Sequence, residues 1–80
     1  MRHANIKDLS QHALLLEKIR IIPGVTEKTP GHFYYKGRNV IHFHINETEL
    51  YADIGEQRIL LRKNNYDHII SLVAAYIHSI

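Results

Sequence analysis

The apolar positions of the chain change period along its length. Leu9, Ala13, Leu16 and Ile19 recur at the three-and-four spacing of one helical face, with Ile6 and Leu15 widening the stripe. The pattern predicts a helix over roughly residues 6 to 21. Asn5 is placed to cap it, Asp8 adds negative charge to its first turn, and Lys18 and Arg20 suit the negative end of its dipole. Pro23-Gly24 ends it, because proline disfavours a helical residue before it and has no N–H to give. Residues 23–31 hold both prolines and two of the four glycines and read as a loop, with Thr26-Glu27-Lys28-Thr29 exposed.

From residue 32 the period becomes two. His32 to Tyr35 reads as an aromatic strand, Lys36-Gly37 as a turn, and 39–45 as a second strand. Asn46 to Glu49 turns into a third strand over 50–54. Gly55-Glu56 turns again into 57–62, read as a fourth strand at the sheet edge, where arginines are tolerated. A last helix begins near Asn65, a natural N-cap, with Asp67 in its first turn. Its apolar stripe is Ile69, Leu72, Val73, Tyr76, Ile77 and Ile80, while Asp67, Ser71, His78 and Ser79 face out. The order is α-β-β-β-(β)-α. Short connections force neighbouring strands to pair, so the expected fold is α+β, one domain over 1–80. Its antiparallel meander sheet carries two helices packed on one face.

The turns fix which side chains meet. A loop at 46–49 pairs Ile45 with Leu50, Phe43 with Ala52 and Ile41 with Ile54, so one face is apolar throughout. The same register sets His44 opposite Tyr51 and His42 opposite Asp53 on the other face. A two-residue Lys36-Gly37 turn sets Tyr35 opposite Arg38 and Phe33 opposite Val40, adding them to that second face. A three-residue loop would bring His32 and Tyr34 there instead. The expected binding face is therefore Arg38, His42, His44, Tyr51 and Asp53, with Arg58 and Arg62 from the fourth strand as further members. His3, His12, His68 and His78 fall on the tail or on helix surfaces and read as solvated or capping residues.

Composition adjusts this picture in three ways. With no Cys, disulfides and cysteine-based zinc sites are excluded, and a reducing compartment is allowed. A net charge of +2 is too small to imply nucleic acid, although aromatics on a sheet with arginines resemble a single-strand platform. Seven His in 80 residues stand out: one added charge for each would carry the chain from +2 to +9. No segment approaches the ~18 apolar residues of a membrane span. The first residues lack a secretory signal's apolar stretch, so the expected location is the cytoplasm. The core of so short a chain is thin, and a homodimer would complete it.

His42 and His44 at i, i+2 project from one face of a strand, the geometry that two metal ligands need, and Asp53 is placed to be a third. Zinc is the cation such a set would take, with one tetrahedral position open. The same three residues would also serve as a carboxylate-oriented acid–base pair, or simply as a polar surface with a His42–Asp53 pair. No Ser or Cys nucleophile sits in a recognisable motif, and no phosphate-binding glycine loop is present.

The ordered set Pro23-Gly24-Val25, Gly31, Gly37-Arg38, His42-x-His44 and Asp53 resembles the luciferase-domain family of small bacterial and fungal proteins over residues 19–54. That family's pattern runs Leu-Pro-Gly-Val, a Gly-Arg strand with His-x-His, then an Asp after a short turn; Ile22 stands here in place of its Leu. The resemblance implies that His42, His44 and Asp53 are the functional residues, and it carries no implication of light emission. The expected function is binding of a small ligand or a protein partner on the His/Tyr/Arg face. The rival is metal-assisted or acid–base hydrolysis by His42, His44 and Asp53.

Overall fold

The computed structural model describes residues 2–80. The elements run β1 (Arg2–His3), α1 (Ala13–Arg20), β2 (Val25–Thr29), β3 (His32–Tyr35), β4 (Arg38–Asn46), β5 (Glu49–Ile54), β6 (Gln57–Leu60) and α2 (Tyr66–Ser79). The architecture is α+β. Strands β2 to β6 form an antiparallel meander in chain order, and β1 lies beside β4. Both helices pack on one sheet face in a single core. Leu15, Leu16 and Ile19 of α1 and Ile69 and Val73 of α2 cluster with Phe33, Ile41, Phe43, Ala52 and Ile54 of the sheet. Among the described residues, no helix is long and apolar enough to cross a membrane.

The central register is the expected one. His42 pairs with Asp53, Phe43 with Ala52, His44 with Tyr51 and Ile45 with Leu50. Ile41 and Ile54 lie just past the end of this ladder, both buried. The fourth strand is real, ending at Leu60, and the Leu61 N–H still donates to the Leu50 carbonyl at 2.8 Å.

The first hairpin departs from simple alternation. Tyr35 faces Arg38 across a Lys36-Gly37 turn with φ of 50° and 81°, the left-handed pair that a two-residue hairpin turn demands. Phe33, however, pairs with Ile41 and not with Val40, because a bulge between Phe33 and Tyr34 in the register leaves one β4 residue extra. Val40 and Ile41 are consequently both fully buried. The bulge turns Phe33 into the core and His32 onto the opposite face.

Further corrections concern the two helices and the segment between α1 and β3. The helix expected over 6–21 is shorter: residues 6–9 are turn, Ser10–His12 is a 3-10 turn, and the α-helix starts at Ala13. Asn5 and Asp8 still exchange hydrogen bonds, Asn5 N–H to Asp8 Oδ2 at 2.8 Å and Asp8 N–H to Asn5 Oδ1 at 3.0 Å. This is a capping box, closing a turn that the helix does not continue. Ala13 is exposed, and Leu15 takes its place in the core. The segment expected as loop contains β2, an edge strand whose Glu and Lys keep it from pairing further. At α2, Asn65 does not cap by its side chain; its Oδ1 accepts from the Arg62 N–H at 3.1 Å and its Nδ2 donates to the Leu60 carbonyl at 2.9 Å. It ties the end of β6 to the helix.

Candidate functional site

The alternation that sends Ile41 and Phe43 into the core sends His42 and His44 out through the opposite face. Two further strands then place one residue each beside them. Asp53 on β5 lies across from His42, and Arg58 on β6 lies across from Asp53. Arg58 clamps the carboxylate with both arms, Nε to Oδ1 at 2.7 Å and Nη2 to Oδ2 at 2.9 Å. Asp53 is buried, yet its carboxyl is held below the usual range, first by the Arg58 hydrogen bonds and further by His44, against the opposing effect of burial.

Both histidines turn a nitrogen to the same carboxylate oxygen. His44 Nδ1 lies 2.7 Å and His42 Nε2 3.4 Å from Asp53 Oδ2. The other nitrogen of His42, Nδ1, is 2.9 Å from Asn39 Oδ1. An amide oxygen only accepts, so Nδ1 donates and Nε2 of the neutral ring keeps its lone pair. His44 Nδ1 is buried, and despite its closeness to Asp53 the approach is out of line, so it lacks an aligned hydrogen bond.

The structure adds His3, which the sequence reading places on the tail, and His32, which it brings to this face only with a three-residue hairpin loop. β3 pairs only with the first part of β4, and β1 takes the edge that remains, with Arg2 opposite Ile45 and His3 opposite His44. His3, assigned above to the tail, therefore stands 4.5 Å from His44, edge to face, and 5.5 Å from His42 between ring centroids. His32, brought round by the bulge, stacks 5.1 Å from His3 and 5.9 Å from His42. Burial lowers the pKa of His32 and His42; neighbouring imidazoles push the same way, while Asp53 partly opposes this at His42. The mismatch between a four-residue β3 and a nine-residue β4 was the signal for His3: some segment had to cover the remaining edge.

The other expected members are spread out. Tyr51 is half-buried between His44 and Leu60 in the ladder, its hydroxyl 3.4 Å from Glu49 Oε1. Arg38 is exposed at the hairpin turn opposite Tyr35, on the far side of the bulge from His42 and His44. Arg62 follows β6 and is exposed. Phe33 is core, so the aromatics left for a platform are Tyr51, Tyr34, with Lys28 Nζ 4.6 Å above its ring, and Tyr35 at the turn.

A shallow, open depression of about 320 Å³ adjoins the cluster, lined by His42, Asp53, Glu56, Gln57 and Arg58 among others. A larger groove of about 760 Å³ runs between α2 and the β5–β6 turn, and Asn39 borders it. Chemically the cluster offers two imidazole nitrogens and a carboxylate oxygen within 4.8 Å of one another. Comparison with protein-family models, curated proteins and solved structures finds no match to the chain.

Proposed function

We propose that the chain is a small binding module whose ligand seats on the imidazole face, and that it is kin to the luciferase-domain family through the Pro-Gly-Val, Gly-Arg, His-x-His and Asp pattern. One observation carries this reading. Four imidazoles and a guanidinium-clamped carboxylate gather on the sheet face opposite the helices. An outward strand face with no task is served by isolated Thr, Lys or Glu side chains, without the desolvation of a carboxylate and several rings. The concavity beside the cluster is open and shallow, which suits a docked ligand better than an enclosed reacting substrate. This favours binding over hydrolysis by the same three residues.

The test follows backbone amide signals while zinc chloride and sodium phosphate are titrated separately, with a dilution series for self-association. Shifts clustering at residues 42–44, 51–53 and 58 are expected with at least one probe or on concentration. Shifts confined to the α2 groove around Leu72 and Tyr76, or none at all, would overturn the reading.

A further inference from the structure

Resting on that reading, we infer that the ligand is a zinc-type divalent cation held by His42 Nε2, His44 Nδ1 and Asp53 Oδ2. Two imidazole nitrogens and one carboxylate oxygen converge there. His42 Nε2 presents a lone pair because Nδ1 is engaged with Asn39 Oδ1 at 2.9 Å. His44 Nδ1 is buried without an aligned hydrogen bond. Both face one carboxylate oxygen, at 3.4 Å and 2.7 Å. With the His44 ring proton on Nε2, all three atoms present lone pairs, and one cation between them would satisfy all three.

The distances suit an ion. Bonds of about 2.0 Å in a tetrahedron separate ligand atoms by about 3.3 Å, close to the 3.4 Å at His42, while His44 Nδ1 at 2.7 Å would draw back by about half an ångström to admit the ion. One ligand atom from each of the three residues lies within 4.8 Å of the others, so small side-chain rotations would close the set. Two imidazoles with one carboxylate form a borderline-soft donor set, matched to zinc rather than to calcium or magnesium. The support behind the donors is also of the kind that metal sites use. Asn39 orients His42, Arg58 Nε holds the remote oxygen Oδ1 at 2.7 Å, and two paired strands fix the spacing.

Arg58 makes the prediction specific. Its Nη2 contacts the oxygen that the cation would use, so a bound ion must share Oδ2 or displace that arm while Nε keeps Oδ1. The guanidinium is thus a resident competitor of like charge. Replacing it with a neutral residue should tighten zinc several-fold, whereas removing a ligand should weaken it.

The experiment titrates zinc into chelator-treated protein by calorimetry while the His ring signals are followed by NMR. One equivalent should bind, moving His42 and His44. His44→Ala and Asp53→Asn should each weaken binding at least tenfold, with folding checked by circular dichroism, and Arg58→Gln should strengthen it. Zinc shifts confined to His12, His68 or His78, or binding indifferent to His44→Ala and Asp53→Asn, would overturn the inference. Zinc leaving the face unmoved while phosphate shifts it would overturn the metal and leave the binding face standing. Neither probe nor concentration moving it would remove both.

Discussion

The two faces of the sheet are built from the same strands at alternate positions, and they hold together by opposite means. On the helix side Phe33, Ile41 and Phe43 are essentially inaccessible and gain from contact area, which needs no direction. On the other side His42, His44, Asp53 and Arg58 depend on directed contacts between polar groups. Asp53 even counts as buried, at 9% exposure, although no helix lies over it. The apolar face is therefore the source of stability. The polar face draws on that stability to keep charged and titratable groups close together.

The most severe way to break this contrast is Phe43→Ala, which should cost about 3–5 kcal/mol, enough to unfold a marginal small domain. Urea denaturation measures it, and a variant with near wild-type stability would mean that the core is not the support. Asp53→Asn, one strand away on the opposite face, should cost much less, roughly 1–2 kcal/mol. It loses charge-assisted bonds to an arginine whose side chain is 48% exposed and so recovers water contacts. A loss equal to that of Phe43→Ala would erase the distinction between the faces.

The smallest effect sharpens the comparison by pH. His12, His32 and His42 have folded pKa values below the ordinary value, each chiefly through burial. In that case the unfolded chain takes up protons first. Stability is full above the unfolded pKa of about 6.5 and falls as the pH drops below it. Asp8, Glu27 and Asp53 are lowered by their arginines, so their contribution holds above about pH 4 and is lost on further acidification. The melting temperature should decline between pH 7.5 and 5.5 and decline again below 4. His32→Gln should flatten part of the first slope. A melting temperature that rises on mild acidification would show that the imidazole cluster favours the charged form.

The parts of the fold that could be read from the chain are those where two independent patterns agree. In β4 and β5 apolar residues match apolar and polar match polar, so a slipped register is penalised on both faces, and the His42–Asp53 pair follows. The bulge was not legible because Val40 and Ile41 are both apolar; either satisfies the core, and only packing decides that both do. β2 escaped notice because Thr26, Glu27 and Lys28 on an edge strand have the polarity of a loop. β1 is too short to show any period, and with it went His3. Arg58 was foreseen as a member of the polar face, but its two-armed hold on Asp53 depends on the Gly55-Glu56 turn, which brings the two opposite each other.

β1 also has a consequence for how the chain behaves in bulk. Among the described residues, only Arg2, His3 and the Ala4 N–H, which donates to the Phe43 carbonyl at 2.9 Å, cover the later edge of β4. Without them, alternating apolar backbone around Phe43 and Ile45 would present unpaired groups to any other chain, the usual starting point of edge-to-edge aggregation. Joining residues 2–3 to 44–45 closes the longest loop in the sheet, and contacts so distant along the chain form slowly. Where the rest of the meander assembles first, refolding passes through an interval in which this edge is bare. Chain concentration in that interval, more than final stability, should set the yield of monomer, and shortening the chain by its first four residues would make the interval permanent.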